Sequence, residues 1–193
     1  MITLLLDSSS NRLSVAIAKD NHVIGRYDEK AFQTQSEILV MKIHDLLGEL
    51  ELTPKDITNI VVAYGPGSFT GVRIAVSVSK IWAYALNIDL YKVSSLEVFK
   101  HSELPTICVL DARNNRSFAG IYSQKGTILN DTILTNDEVK NLIKDKGYLL
   151  GGETKHLELE SIVFDRFQNM LRGIKEENKV KDVLSFKPIY LKE

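Results

Sequence analysis

Gly65-Pro66-Gly67-Ser68-Phe69-Thr70-Gly71-Val72-Arg73 constrains this chain more than any other stretch. An apolar run, residues 60–64, leads into it, and residues 72–86 leave it with a helical apolar pattern. The stretch therefore reads as a strand, a tight turn and a helix start. Glycines at such a junction let the backbone approach a phosphate held by the helix's unpaired first N–H groups. Neither common nucleotide motif is present. A P-loop places lysine directly after its second glycine, and the residue after Gly71 is Val72. A dinucleotide fingerprint needs Gly-x-Gly-x-x-Gly, but here the third glycine comes one residue late and Pro66 separates the first two. Two readings stand: an independent phosphate site, or a geometrically demanding start to a crowded helix.

With 193 residues, the chain is one large domain or two small ones, long enough to bury about 70% of its unfolded surface. Its single cysteine, Cys108, lies in the apolar run Thr106-Ile107-Cys108-Val109-Leu110. That excludes an internal disulfide framework and reads as a core thiol. The apolar first residues end at Asp7 and are too short for a signal peptide. No run approaches the ~18 apolar residues of a membrane span, so a reducing cytoplasm is the expected compartment. Basic and acidic side chains number 24 and 25, for a net charge of −1, so no overall attraction to nucleic acid is expected. Direct RNA binding is not predicted.

Residues 3–6, 13–18 and 22–27 read as three strands, the last two joined by the turn Lys19-Asp20-Asn21. Between the first two lies Asp7-Ser8-Ser9-Ser10-Asn11-Arg12, whose hydroxyls suit either an anion or an ordinary turn. Thr34 and Glu37 have capping-box spacing and open a helix running to about Leu50. Leu39, Ile43, Leu46 and Leu50 form its core stripe, which leaves Ile38, Val40 and Met41 flanking it. The helix over 72–86 is apolar on two sides. Val72, Ala75, Val76, Ser79, Trp82, Ala83 and Leu86 line one, Ile74, Val78, Ile81 and Ala85 the other, with Arg73, Ser77 and Lys80 as the polar seam. One side faces a sheet; the other needs either the Thr34 helix or another chain. The interface candidates are Ile38, Met41, Ile74, Val78, Ile81 and Trp82, with Arg73 tethering a loop or a partner carboxylate.

Polarity rises and Pro105 breaks the pattern around residues 101–105, which places a boundary between segments 1–103 and 104–193. Strands are expected over 106–111, 116–123 and 148–150, and a charged helix over 136–146. Asp111-Ala112-Arg113 reads equally as a cleft marker or a strand-end ion pair. Gly151-Gly152-Glu153 is expected to be a turn, and residues 155–182 are expected to be largely helical, with a solvated charged end over 175–181. His22, His44, His101 and His156 show no paired ligand spacing.

The run GPGSFTGVRIAVSVSK closely resembles the signature of the TsaB (YeaZ) family, non-catalytic paralogues of the TsaD/Kae1 enzyme in the actin-like ATPase superfamily. Residues 4–7, residues 93–97, Asp111-Ala112-Arg113 and Pro188-Ile189-Tyr190-Leu191 extend the resemblance along the chain. It implies an α/β fold of actin-like, ribonuclease H-like type: two subdomains with mixed sheets, the second one reduced. In the TsaD paralogues, histidines of a segment aligned with residues 93–99 hold a catalytic metal. Ser95 and Phe99 stand there in this chain, and neither side chain replaces an imidazole. No metal and no catalytic residue are therefore expected. The superfamily's phosphate hairpin has a glycine that the Asp7 turn lacks. Asp7, Ser9, Asp111, Gly151 and Gly152 would be a vestigial nucleotide cleft, with no required cofactor and room for weak ATP or ADP binding in a complex.

The same resemblance implies a non-catalytic subunit of the machinery that installs threonylcarbamoyl on adenosine of tRNAs reading codons that begin with A. Its first two helices would pair with a TsaD-like transferase, or with a second copy when alone, and a TsaE-like ATPase would join the partner set. Two other readings stay open: a stand-alone nucleotide-binding enzyme using Asp7, Asp111 and the Gly151-Gly152 turn, and a free homodimeric scaffold.

Overall fold

The computed structural model describes residues 1–31 and 34–191. Strands β1 (Ile2–Asp7), β2 (Arg12–Lys19) and β3 (His22–Lys30) form an antiparallel meander. Its second turn places Asp20 and Asn21 at φ 48° and 67°, a conformation these short polar side chains tolerate. Helix α1 (Gln35–Glu49) crosses to β4 (Asn59–Ala63), and α2 (Phe69–Leu86) crosses to β5 (Asp89–Val93). These crossovers make β1–β4 and β4–β5 parallel, giving the order β3-β2-β1-β4-β5. The second sheet contains β6 (Thr106–Arg113), β7 (Arg116–Ser123), β8 (Gly126–Thr135) and β9 (Leu149–Gly152), with helix α3 (Asn136–Lys146) before the last strand. Its order, β8-β7-β6-β9, repeats the first four positions of the first sheet and stops short of the fifth. Among the described residues no fifth strand joins it, which is the reduction of the second half.

Alternation along β1 explains the layers. Leu4 and Leu6 face a core built with Leu39, Ile43, Leu46 and Leu47 of α1 and Val72, Ala75, Val76 and Ala83 of α2. Leu5 points the other way, into a core shared with Phe99, Cys108, Leu110 and helix α4 (Arg166–Leu171). A strand buried on both faces reads as a continuous apolar run. A third core lies between the second sheet and α3, around Ile107, Val109, Ile121 and Val139. Cys108 is fully buried, and burial pushes its thiol well above the usual range.

Four local expectations change. Thr34 makes no side-chain cap; instead the Gln35 amide donates to the carbonyls of Ser10 and Arg12, at 2.8 and 3.0 Å, and anchors α1 from its first residue. A reciprocal capping box forms on α3, where Thr135 and Glu138 bond each other's backbone N–H groups. Thr135→Ala is expected to cost about 1 kcal/mol, read as a lower urea midpoint at unchanged slope. Residues 155–182 hold only the short α4, capped by Asp165, with single 3-10 turns at Lys155–Leu157 and Glu176–Asn178. Gly173 ends that helical stretch against Val93, where a Cβ would collide. Gly151 and Gly152 are the last residues of β9 rather than a turn, and β8 is a strand where none was expected.

Beyond α4 the chain runs back over the first half. Val180 N–H donates to Leu90 O (2.8 Å) and Ile189 N–H to Tyr64 O (2.9 Å). Val180, Val183 and Phe186 pack against the first core, and the Lys80 ammonium donates to the carbonyls of Leu184 and Phe186 at 2.7 and 2.8 Å. This strap and α1 both border α2.

Candidate functional site

The glycine loop is held by backbone on several sides. Cβ atoms at Gly67 and Gly71 would collide with the carbonyl oxygens of Ser9 and Ser8, and one at Gly65 with that of Ile189. Hydrogen bonds close the same contacts. Ser68 N–H donates to Ser9 O (2.6 Å), and the Ser8 hydroxyl donates to Gly71 O (2.6 Å). Ser95 serves here too: its hydroxyl accepts from Gly65 N–H and its own N–H donates to Gly65 O, both at 2.9 Å. The glycines are thus explained by close chain packing, the second of the two readings of this loop.

Asp7, at the carboxyl end of β1, is 1% exposed. One carboxylate oxygen accepts from Ser9 N–H (2.8 Å), and the other faces the Arg166 guanidinium of α4 (3.3 Å). Arg166 also donates to the Ser14 hydroxyl and lies over the Phe99 ring, 5.0 Å from its centroid. Ser14 donates in turn to Asp28, which pairs with Arg12 at 2.8 Å. Burial raises the Asp28 carboxyl, but the Arg166 charge and the bonds from Arg12 and Ser14 outweigh it and hold it below the usual range.

A magnesium–phosphate group at this turn would need a free carboxylate and open backbone amides. Arg166 takes the carboxylate, and Ser8, Ser9 and Ser10 are buried. These residues do not fit the group. The other cleft candidates lie at the ends of β6 and β9. Exposed Asp111 accepts from Arg113 N–H (2.7 Å), while Gly151 and Gly152 leave room for the carbonyls of Phe99 and Val109. Phe99 is fully buried, edge-on to Phe164 at 5.0 Å. Among the described residues no three His, Cys, Asp or Glu side chains are placed to hold a metal ion.

Two polar clusters have no signal in residue spacing. His156 sits 2.7 Å from the hydroxyl of fully buried Ser117, which donates to Asn136 (2.9 Å). With its proton committed and no solvent access, Ser117 is no nucleophile. The second cluster joins the sheets: Ser94, just past β5, donates to Asp131 of β8 (2.6 Å), and Tyr122 of β7 donates to the same carboxylate. Burial is the main cause that raises the Asp131 carboxyl above the usual range. An acid raised in the folded state binds protons more readily there than when unfolded, so it favours folding increasingly as pH falls through its folded pKa. Wild type is therefore expected to gain stability relative to Asp131→Asn between pH 7 and 4, read from urea midpoints; a pH-independent difference would contradict this.

Helices α1 and α2 each keep apolar side chains uncovered. Ile74, Val78, Ile81 and Ala85 are spaced on one stripe of α2; Ile74 and Val78 are half-buried against the first core, and Ile81 and Ala85 are exposed. Ile81 is 66% exposed, and nearby in sequence Tyr84 is 65% exposed. On α1, Val40 and Met41 are each 49% exposed and Ile38 is half-buried. Trp82 is half-buried against the first core. Arg73 is exposed at the start of α2, its guanidinium 5.1 Å from the Phe69 ring, which stacks on Tyr190 at 4.8 Å.

Two ribonuclease H-type sheets, with the buried acid at the end of β1 neutralised by the chain's own arginine, define a class in which the fold is retained and that carboxylate is not free to hold a magnesium–phosphate group. The family model described as TsaD, tRNA N6-adenosine threonylcarbamoyltransferase, matches residues 17–177. A structure of YeaZ from Pseudomonas aeruginosa superposes with a TM-score of 0.82 at 23% identity, covering 98% of this chain and 99% of that one. The chain belongs to the TsaB (YeaZ) branch of the TsaD family. The tRNA threonylcarbamoyladenosine biosynthesis protein TsaB of Bacillus subtilis is 34% identical over 137 residues, 69% of this chain and 60% of that protein. The protein of the same name from Buchnera aphidicola subsp. Schizaphis graminum is 24% identical over 96% of this chain and 98% of its own length. Among the described residues no helix is long and apolar enough to cross a membrane.

Proposed function

We propose that this chain acts in tRNA threonylcarbamoyladenosine biosynthesis as a non-catalytic cytoplasmic subunit that binds and organises a TsaD-type transferase. The observation that carries this reading is the solvent-facing apolar area on α1 and α2, with Ile81 at 66% exposure. So large an exposed apolar side chain, three residues from Val78 on the same helix, suits a helix-to-helix contact. The contact residues are Ile38, Met41, Arg73, Ile74, Val78, Ile81 and Trp82. Residues 1–103 form the partner-binding subdomain and 104–193 the reduced one, the last two residues lying outside those described. The names of the Bacillus and Buchnera relatives support the pathway.

When no transferase is present, the same face pairs two copies of the chain; a TsaE-like ATPase joins the complex, and this chain makes no direct contact with tRNA. A stand-alone nucleotide enzyme is opposed by Arg166, which occupies the acid such an enzyme needs. Mass spectrometry of tRNA nucleosides tests the reading. Cells depleted of this chain should lose threonylcarbamoyladenosine and regain it on complementation. Unchanged modification after depletion would remove the function.

A further inference from the structure

We propose that Arg166 is a built-in counter-cation that latches α4 across the junction of the two sheets and so holds the turn after Asp7 in place. Asp7 and Arg166 are 159 residues apart, and both are buried, at 1% and 6% exposure. The guanidinium reaches Asp7 on β1, Ser14 on β2 and the ring of Phe99 on the connection between the sheets. One turn further along α4, the Asn169 amide donates to the carbonyls of Val98 and Lys100, at 3.0 and 2.8 Å. The Ser94–Asp131–Tyr122 cluster fastens the two sheets a second time, through β8 and β7.

The arginine is not fully satisfied where it sits. Among the described residues its Nε has no partner, and neither has the buried Ser9 hydroxyl. A buried ion pair carrying such an orphan N–H adds little net stability, because desolvation offsets most of the attraction. What it does fix is geometry: where α4 sits, its first residue neutralises Asp7. Withdrawal of either partner leaves the other buried charge without its nearest counter-charge and loosens the hold of α4 on the turn after β1.

Hydrogen exchange tests the latch on the full chain. Asp7→Asn and Arg166→Met are each expected to speed exchange about 100-fold in both segments, the turn at residues 8–12 and α4, because losing one partner of a buried pair is a large local cost. Exchange in α3 should be unchanged. Arg166→Lys, which keeps the charge, should restore part of the protection and guards against a variant that fails to fold. If each substitution accelerates only its own segment, or if neither does, no latch exists.

Discussion

Ile81→Glu is expected to leave the fold unchanged and to weaken association with a TsaD-type transferase by about 2–4 kcal/mol, a loss of roughly 30- to 1000-fold in affinity. The side chain is 66% exposed on α2, so in the free chain the new carboxylate stays in water, at a stability cost within about 0.5 kcal/mol. In a helix-to-helix contact the same carboxylate would be buried among apolar side chains without a partner. Titration calorimetry reads the affinity, and a thermal melt checks the fold. Trp82 is a poorer probe, because it is half-buried against the chain's own core and its truncation mixes folding with binding. Unaltered affinity in a well-folded Ile81→Glu protein would remove α2 from the interface.

The second large effect lies in the glycine loop. Gly71→Ala places a methyl group on the carbonyl oxygen of Ser8, a backbone atom fixed in the buried turn after β1. Relief requires shifting either the turn or the first residues of α2, and with them the bonds from Ser8 and Ser68. The expected cost is about 3 kcal/mol, or a melting point lower by roughly 6–12 °C. Gly48→Ala supplies the contrast. Nothing lies within 4 Å of a Cβ there, and the position is helical, so a gain of about 0.5–1 kcal/mol is expected. If Gly71→Ala melts with the wild type, the glycines of the loop serve something other than close packing.

The first half of the fold is legible in the sequence because each element carries its own period. β1 is a continuous apolar run, α1 and α2 repeat at helical spacing, and Asp20-Asn21 marks the hairpin. The second half is less legible. The strand β8 is half-exposed and has no clean alternation, and the residues after β9 resemble a charged helix but break into turns at Gly173 and around Lys179. The surplus of apolar residues on α2 is visible in its sequence, but the strap that borders it is not, since Val183 and Phe186 come from the far end of the chain. The same limit applies to the crevice. Asp7 and Ser9 stand out in the sequence, whereas Arg166, which decides what Asp7 does, lies in a stretch with no motif. Ser95 and Phe99 read as replacements for metal ligands, and their positions give each a structural use: one bonds the Gly65 backbone and the other fills the core.

Light scattering during size-exclusion chromatography tests the proposed partner role most directly. The chain is run alone and then mixed with the TsaD homologue of the same cell at micromolar concentration. A one-to-one complex that forms at the expense of a homodimer, and that Ile81→Glu prevents, is the predicted result. A chain that elutes as a monomer both alone and in the mixture would contradict it.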